Sequence, residues 1–146
     1  VREGVVASGE NNSFAPEELA SMRRMLGTLG RVVMVPEALF DAVTGISGSG
    51  PAYAYLFIEA LADAGVRAGL TRQMAYELAA QTVAGAGRMV LETGMHPGAL
   101  KDAVSSPGGS TIEAVYALEK AGLRGAVMDA VDACVRRAAA VTSEKG

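Results

Sequence analysis

One cysteine and one histidine occur among 146 residues. The lone Cys134 excludes an internal disulfide and a cysteine-based metal site, and its Ala-rich helical setting makes it a core-filling side chain. The lone His96 leaves no cluster of histidine, cysteine and carboxylate at metal-ligand spacing, so no metal is expected. Basic residues do not outnumber acidic ones: 13 Lys and Arg stand against 16 Asp and Glu, a formal charge of −3, with a pI ≈ 5.2. That balance gives no electrostatic footprint for nucleic acid. Long hydrophobic runs are lacking too. The longest uncharged stretch, Ala42 to Ile58, is interrupted by Gly, Ser and Pro and falls short of a membrane span. With no secretory leader visible, the expected location is the cytoplasm. Gly48-x-Gly50 and Gly85-x-Gly87 each lack the third glycine of a dinucleotide fingerprint and follow no strand, so no cofactor-binding residues can be assigned. There is no Walker loop and no Gly-x-Ser-x-Gly elbow, and no spacing builds a triad on His96.

What is present is a folded chain: half its residues are apolar and a fifth are charged, and a domain of this size buries roughly 70% of its unfolded surface. It opens at Val1 without an initiator methionine and runs straight into a strand, as a fragment or processed chain would. Gly4 to Gly9 is a short β-branched run, expected to be a buried strand. Ser13 to Pro16 and the pair Glu17-Glu18 open a helix carrying Leu19, Met22, Met25 and Leu26, closed by Gly27 and Gly30. Arg31 to Val35 is a second strand. Strand, helix and strand make one βαβ unit. Two parallel strands do not stand alone as a sheet, so residues 1–35 read as the end of a larger, incomplete α/β domain.

From Pro36 onward the pattern is helical. Pro36 to Val43 predicts a short helix with Asp41 exposed, and Gly45 to Gly50 a turn-rich joint with Ser49 as the next N-cap. Gly50 to Gly69 predicts a long helix whose only charges, Glu59, Asp63 and Arg67, form one stripe at i, i+4 and i+8, with Asp63 placed to pair with Arg67. A helix apolar on every other face must be surrounded by protein, and a second copy of the chain is expected to cover it. Thr71 caps a helix over Arg72 to Glu92, where Gly85 and Gly87 suggest close helix-on-helix approach. A short helix over Pro97 to Val104 follows His96, which reads as local structure. The last helix, Arg124 to Val141, turns Ala126, Val127, Ala130, Val131, Cys134 and Val135 into a packing face, and Ser143 to Gly146 reads as a frayed tail. Tyr53, Tyr55, Tyr76 and Tyr116 read as core or interface residues.

The stretch Ser105-Ser106-Pro107-Gly108-Gly109-Ser110-Thr111 carries the chemistry. Ser110 followed three residues later by Glu113 is a capping box, so a helix begins there and runs to about Lys120. A helix start leaves backbone N–H groups without partners and carries partial positive charge. Two glycines beside it let a ligand approach, which makes a small anion cradle with the Thr111 hydroxyl at its lip. The same residues also read as an ordinary capped helix after a Gly-rich turn.

Gly48-Ser49-Gly50-Pro51-Ala52-Tyr53 together with the run from His96-Pro97-Gly98 through Pro107-Gly108-Gly109-Ser110-Thr111-Ile112 resembles pyrroline-5-carboxylate reductase. The resemblance implies a mainly α fold. Residues 36–146 would be a helical dimerisation and substrate-binding domain, similar to the C-terminal domain of 6-phosphogluconate dehydrogenase. Residues 1–35 would be the terminal strand–helix–strand remnant of a Rossmann-type domain. It implies reduction of L-1-pyrroline-5-carboxylate to L-proline with NADPH or NADH, the coenzyme held mainly by a part outside these residues, so that the chain alone is inactive. It further implies a homodimer that assembles into decamers. Ser106, Pro107, Gly108, Gly109, Ser110 and Thr111 would bind substrate: the Gly108–Thr111 turn would take its carboxylate, and the Thr111 hydroxyl, the one catalytic group, its ring nitrogen. Two other readings stay open, a non-catalytic helical dimerisation module and the helical half of a hydroxyacid-type dehydrogenase. The second needs an acid–base residue, for which Lys101, read as exposed structure, is the candidate.

Overall fold

The computed structural model describes residues 2–10 and 13–144. Strands β1 (Gly4–Gly9) and β2 (Gly30–Val35) pair in parallel, in register from Gly4 opposite Gly30 to Gly9 opposite Val35. Between them runs α1 (Pro16–Leu26). Its cap residue is Ala15, and the Glu18 carboxylate accepts the Ala15 N–H at 2.9 Å. Acids in the first turn and Arg23 and Arg24 in the last complement the helix dipole. Leu19, Met22 and Leu26 are half-buried, whereas Met25 is 66% exposed. β1 is not the buried strand expected from its composition: every residue of it, and of β2, is exposed or half-buried, since among the described residues the sheet has only two strands.

The stretch after Pro36 is more helical than its glycines and serines suggest. A 3-10 turn, Glu37–Leu39, leads into α2 (Phe40–Val43), in which Asp41 is half-buried rather than exposed. The expected turn-rich joint is instead a wide helical turn, Thr44–Gly48, closed by the Ser49 N–H donating to the Thr44 carbonyl at 2.8 Å. The hydroxyls of Thr44 and Ser47 donate to the carbonyls of Phe40 and Val43, at 2.9 and 3.0 Å, so they join the helix instead of breaking it. Gly45 is buried, and a Cβ there would stand 2.9 Å from Cγ2 of Val135 and 3.3 Å from Cγ1 of Val131. It is glycine for close approach, not for a turn. Ser49 does not cap the next helix: its backbone is helical and its Oγ lies 3.0 Å from Cys134 Sγ.

Pro51–Asp129 forms one compact unit, and the described residues on either side of it form the other. In the first, α3 (Gly50–Arg67) packs on α4 (Arg72–Thr93) through buried Ala62, Ala75 and Ala79, with Ile58, Val66 and Leu70 around them. Small side chains set the spacing. A Cβ on Gly65 would meet Ala75 Cβ and Leu70 Cδ1 at 3.2 Å. Asp63 pairs with Arg72, not with Arg67 as expected from spacing. Asp63 raises Arg72 above its usual range, and the guanidinium also sits 5.4 Å from the Tyr76 ring centroid. The Thr71 hydroxyl caps α4 by accepting the Met74 N–H at 3.3 Å, and Gly94 ends it at φ 64°. A Cβ added at Gly85 or Gly87 would meet nothing within 4 Å, so the close approach expected of them is not made among the described residues.

Next come α5 (Pro97–Ala103), α6 (Ser110–Lys120) and α7 (Leu123–Ser143). On α7, Ala130, Val131, Cys134 and Val135 are half-buried as expected, but Ala126 and Val127 are exposed. The helix continues through Ser143, with Glu144 3.6 Å from Arg137, so the tail is shorter than expected; Lys145 and Gly146 lie outside the described residues. Tyr55, Tyr76 and Tyr116 are exposed and Tyr53 half-buried, which leaves no tyrosine in a core made by this chain alone. No helix of the described residues is long and apolar enough to cross a membrane.

Candidate functional site

The junction between α5 and α6 is built from two hydrogen-bonded corners. At its start the Ser105 N–H donates to the Asp102 carbonyl at 3.0 Å and the Ser105 hydroxyl to the Lys101 carbonyl at 2.7 Å, which closes the last turn of α5. Next, the Gly109 N–H donates to the Ser106 carbonyl at 3.0 Å. This four-residue turn has Pro107 second and Gly108 third, with Gly108 at φ 67°, the order a type II turn requires. Pro107 presets its own φ, and only glycine takes the left-handed conformation at 108 without strain. Gly109 is needed for space: a Cβ there would lie 2.3 Å from Ser106 Oγ and 3.1 Å from the Ser106 carbonyl oxygen.

The helix then starts one residue earlier than the capping box predicts. Gly109 is the cap residue, at φ −80° and ψ 167°, and Ser110 is the first helical residue. With helical backbone Ser110 cannot turn its hydroxyl back on the first turn, and Glu113 falls one place beyond box geometry. No side chain caps α6. Its first N–H groups are therefore left for solvent or a ligand, at the positive end of the helix dipole.

Thr111 stands out by what its hydroxyl does not do. Six of the seven threonine hydroxyls are engaged: Thr28, Thr44, Thr82, Thr93 and Thr142 donate to carbonyls three or four residues back, and Thr71 caps α4. Among the described residues none engages that of Thr111. The cause is position. As the second residue of α6, its i−4 residue is Pro107, in the turn, so no helical carbonyl lies beneath it. Ser106, Pro107, Gly108, Ser110 and Thr111 are exposed and Gly109 is half-buried, so the six candidate residues form one accessible turn and helix tip.

The neighbouring polar groups are committed. His96 Nδ1 accepts the Gly98 N–H at 3.0 Å and caps α5, the local structural role expected of it. Lys101 is half-buried rather than exposed, and its ammonium pairs with Asp102. An apolar groove of ≈ 410 Å³ runs beside α5, with Met89, Val90, Leu100 and Val104 in its lining. Among the described residues no three His, Cys, Asp or Glu side chains are grouped to hold a metal ion. The βα junction at the start of α1 does not suit a dinucleotide pyrophosphate. Its first turn carries Glu17 and Glu18, and the Glu18 carboxylate already occupies a backbone donor there. Sequence reasoning placed Ser105 at the head of the stretch but gave it no role, although a serine four residues after Lys101 at a helix end is a recognisable back-bonding position.

Known proteins with similar sequences and folds agree on one family. A family model described as pyrroline-5-carboxylate reductase dimerisation matches residues 37–141. The pyrroline-5-carboxylate reductase of Synechocystis sp. is 52% identical over 134 residues, 92% of this chain and 50% of the relative. That of Escherichia coli is 47% identical over 137 residues, 94% of this chain and 51% of the relative. The chain thus spans about half the length of the curated relatives it matches. Among solved structures, the Coxiella burnetii pyrroline-5-carboxylate reductase matches with TM-score 0.88 at 37% identity, covering 94% of this chain and 51% of that one. The Plasmodium falciparum pyrroline carboxylate reductase, with NADP bound, matches with TM-score 0.82 at 37% identity, covering 93% and 52%.

Proposed function

This chain belongs to the pyrroline-5-carboxylate reductase dimerisation family, and from that premise we propose that it is the dimerising and substrate-holding half of an enzyme reducing L-1-pyrroline-5-carboxylate to L-proline. The observation that carries the reading is the uncapped start of α6 beside a threonine hydroxyl with no other engagement. The substrate offers one group for each. Its carboxylate suits the N–H groups of the first turn, where charge-assisted hydrogen bonds and the helix dipole act together. Its ring nitrogen suits the Thr111 hydroxyl, which would orient the C=N bond. Gly108 and Gly109 contribute by absence, leaving no side chain between the carboxylate and the backbone donors. The chain's own work is positioning and charge complementarity, with no general acid required from it.

NADPH or NADH, when bound, supplies the hydride. The acid-capped start of α1 does not suit its pyrophosphate, so residues 1–35 are read as the end of a nucleotide-binding domain whose glycine fingerprint lies elsewhere, and residues 36–146 as the dimerisation and substrate domain. These 146 residues alone are expected to be inactive. A homodimer, its further assembly to a decamer and a cytoplasmic setting belong to the same reading.

The test is coenzyme-dependent reduction of L-1-pyrroline-5-carboxylate by the intact natural protein. Thr111→Ala should lower kcat/KM by about 10- to 100-fold, the range for one hydrogen bond to a charged group, with the dimer intact. Wild-type turnover by that variant removes Thr111 from the mechanism. No reduction by the unmodified protein overturns the reading in favour of a silent dimerisation module.

A further inference from the structure

Ser105 and Ser106 are adjacent and chemically identical, yet they are held differently. Ser106 is exposed in the turn, its carbonyl accepting from Gly109. Ser105 is half-buried and faces backwards, its hydroxyl on the Lys101 carbonyl at 2.7 Å and its N–H on the Asp102 carbonyl at 3.0 Å. Among the described residues the Lys101 carbonyl receives one other donor, the Val104 N–H, at the long distance of 3.3 Å. The Ser105 hydroxyl is thus the short bond that ties the turn to α5, while His96 fixes the other end of that seven-residue helix. The substrate-binding turn follows directly, with no intervening residue to absorb a change of direction.

We propose that Ser105 is a positioning residue for the substrate carboxylate: it touches no substrate, but sets the fraction of time in which the Ser106–Gly109 turn is closed and the start of α6 is presented. This rests on the reading of that turn as the carboxylate site. A ligand's apparent affinity falls in proportion to the fraction of competent protein. Removing the hydroxyl should therefore raise KM for substrate and leave kcat nearly unchanged, since the geometry once bound is the same.

Two measurements on the intact natural protein decide it. The first is hydrogen exchange at the Gly109 amide, which reports turn closure. Ser105→Ala should speed it by roughly 2- to 10-fold, the range one neutral hydrogen bond governs, and Ser105→Thr, which keeps the hydroxyl, should restore it. Unchanged exchange in Ser105→Ala overturns the proposal whatever the protein's activity. The second is steady-state kinetics. KM for L-1-pyrroline-5-carboxylate should rise in Ser105→Ala by no more than the factor seen in exchange, because KM follows the closed fraction and exchange the open one, with KM for the coenzyme unmoved and Ser105→Thr again restoring it. Faster exchange with unaltered substrate KM, or a fall in kcat alone, also overturns it. If the unmodified protein does not reduce the substrate, the functional reading fails, and exchange at Gly109 still decides whether Ser105 holds the turn.

Discussion

Gly108 and Gly109 are neighbours that resist replacement for unrelated reasons. At φ 67° with open space around it, Gly108 is constrained by backbone conformation alone. Gly108→Ala should cost about 1 kcal/mol in denaturant unfolding, and Gly108→Asn less, because asparagine tolerates the left-handed region better. Gly109 has an ordinary φ, and its constraint is the Ser106 side chain. Gly45 presents the steric case against α7. Gly45→Ala drives a methyl to 2.9 Å from Val135 and should cost about 1–3 kcal/mol. Adding Val135→Ala should recover part of that loss in the same unfolding measurement; a purely additive double variant would show that the two side chains do not meet. Ser110 marks the limit of reading residues from sequence. Serine with glutamate three places on satisfies the box pattern, but glycine is also a competent cap residue, and the Ser106–Gly109 turn hands the chain to the helix at Gly109.

For whole elements, capping residues and hydrophobic spacing were good guides, and most helix and strand ends fall within two residues of expectation. The βαβ order, the Thr71 cap and the Gly94 stop could all be read directly. The wide turn over Thr44–Gly48 could not. Gly and Ser normally signal a loop, and nothing local announces that Thr44 and Ser47 would satisfy helix carbonyls or that Gly45 would meet α7. The candidate turn was legible because Pro-Gly-Gly dictates backbone geometry on its own, whereas the back-bond of Ser105 depends on where α5 ends. Short helices rely on their caps. His96→Ala should destabilise α5 by about 1 kcal/mol, while His96→Asn, also a good cap, should be nearly neutral in thermal unfolding. In α4, Gly85 and Gly87 cost helix stability, and among the described residues no neighbour stands close enough for an added Cβ to meet it within 4 Å. Replacing both with alanine should raise helix content by circular dichroism yet weaken self-association in sedimentation, as expected if a partner helix lies close to them. Stronger association would refute that use of the glycines.

At the scale of the whole molecule, what stands out is how little apolar surface the described residues cover within their own units. Among the described residues the buried apolar side chains are three alanines, Ala62, Ala75 and Ala79, while Tyr55, Leu56, Val104 and Met128 are each more than 60% exposed. Apolar surface on that scale is characteristic of obligate association. Leu56→Glu, placing a charge on the least covered part of α3, should convert a dimer to monomer at micromolar concentration and lower Tm. An unchanged sedimentation coefficient would exempt that face from the interface. The paired strands β1 and β2 have a different consequence. Among the described residues each has one flank without a neighbour, and open parallel edges recruit stray β-structure from other molecules. Preparations beginning at Val1 should therefore bind amyloid-reporting dyes on prolonged storage, and trimming to residue 36, which removes both strands and α1, should abolish that signal while sparing the helices after Pro36.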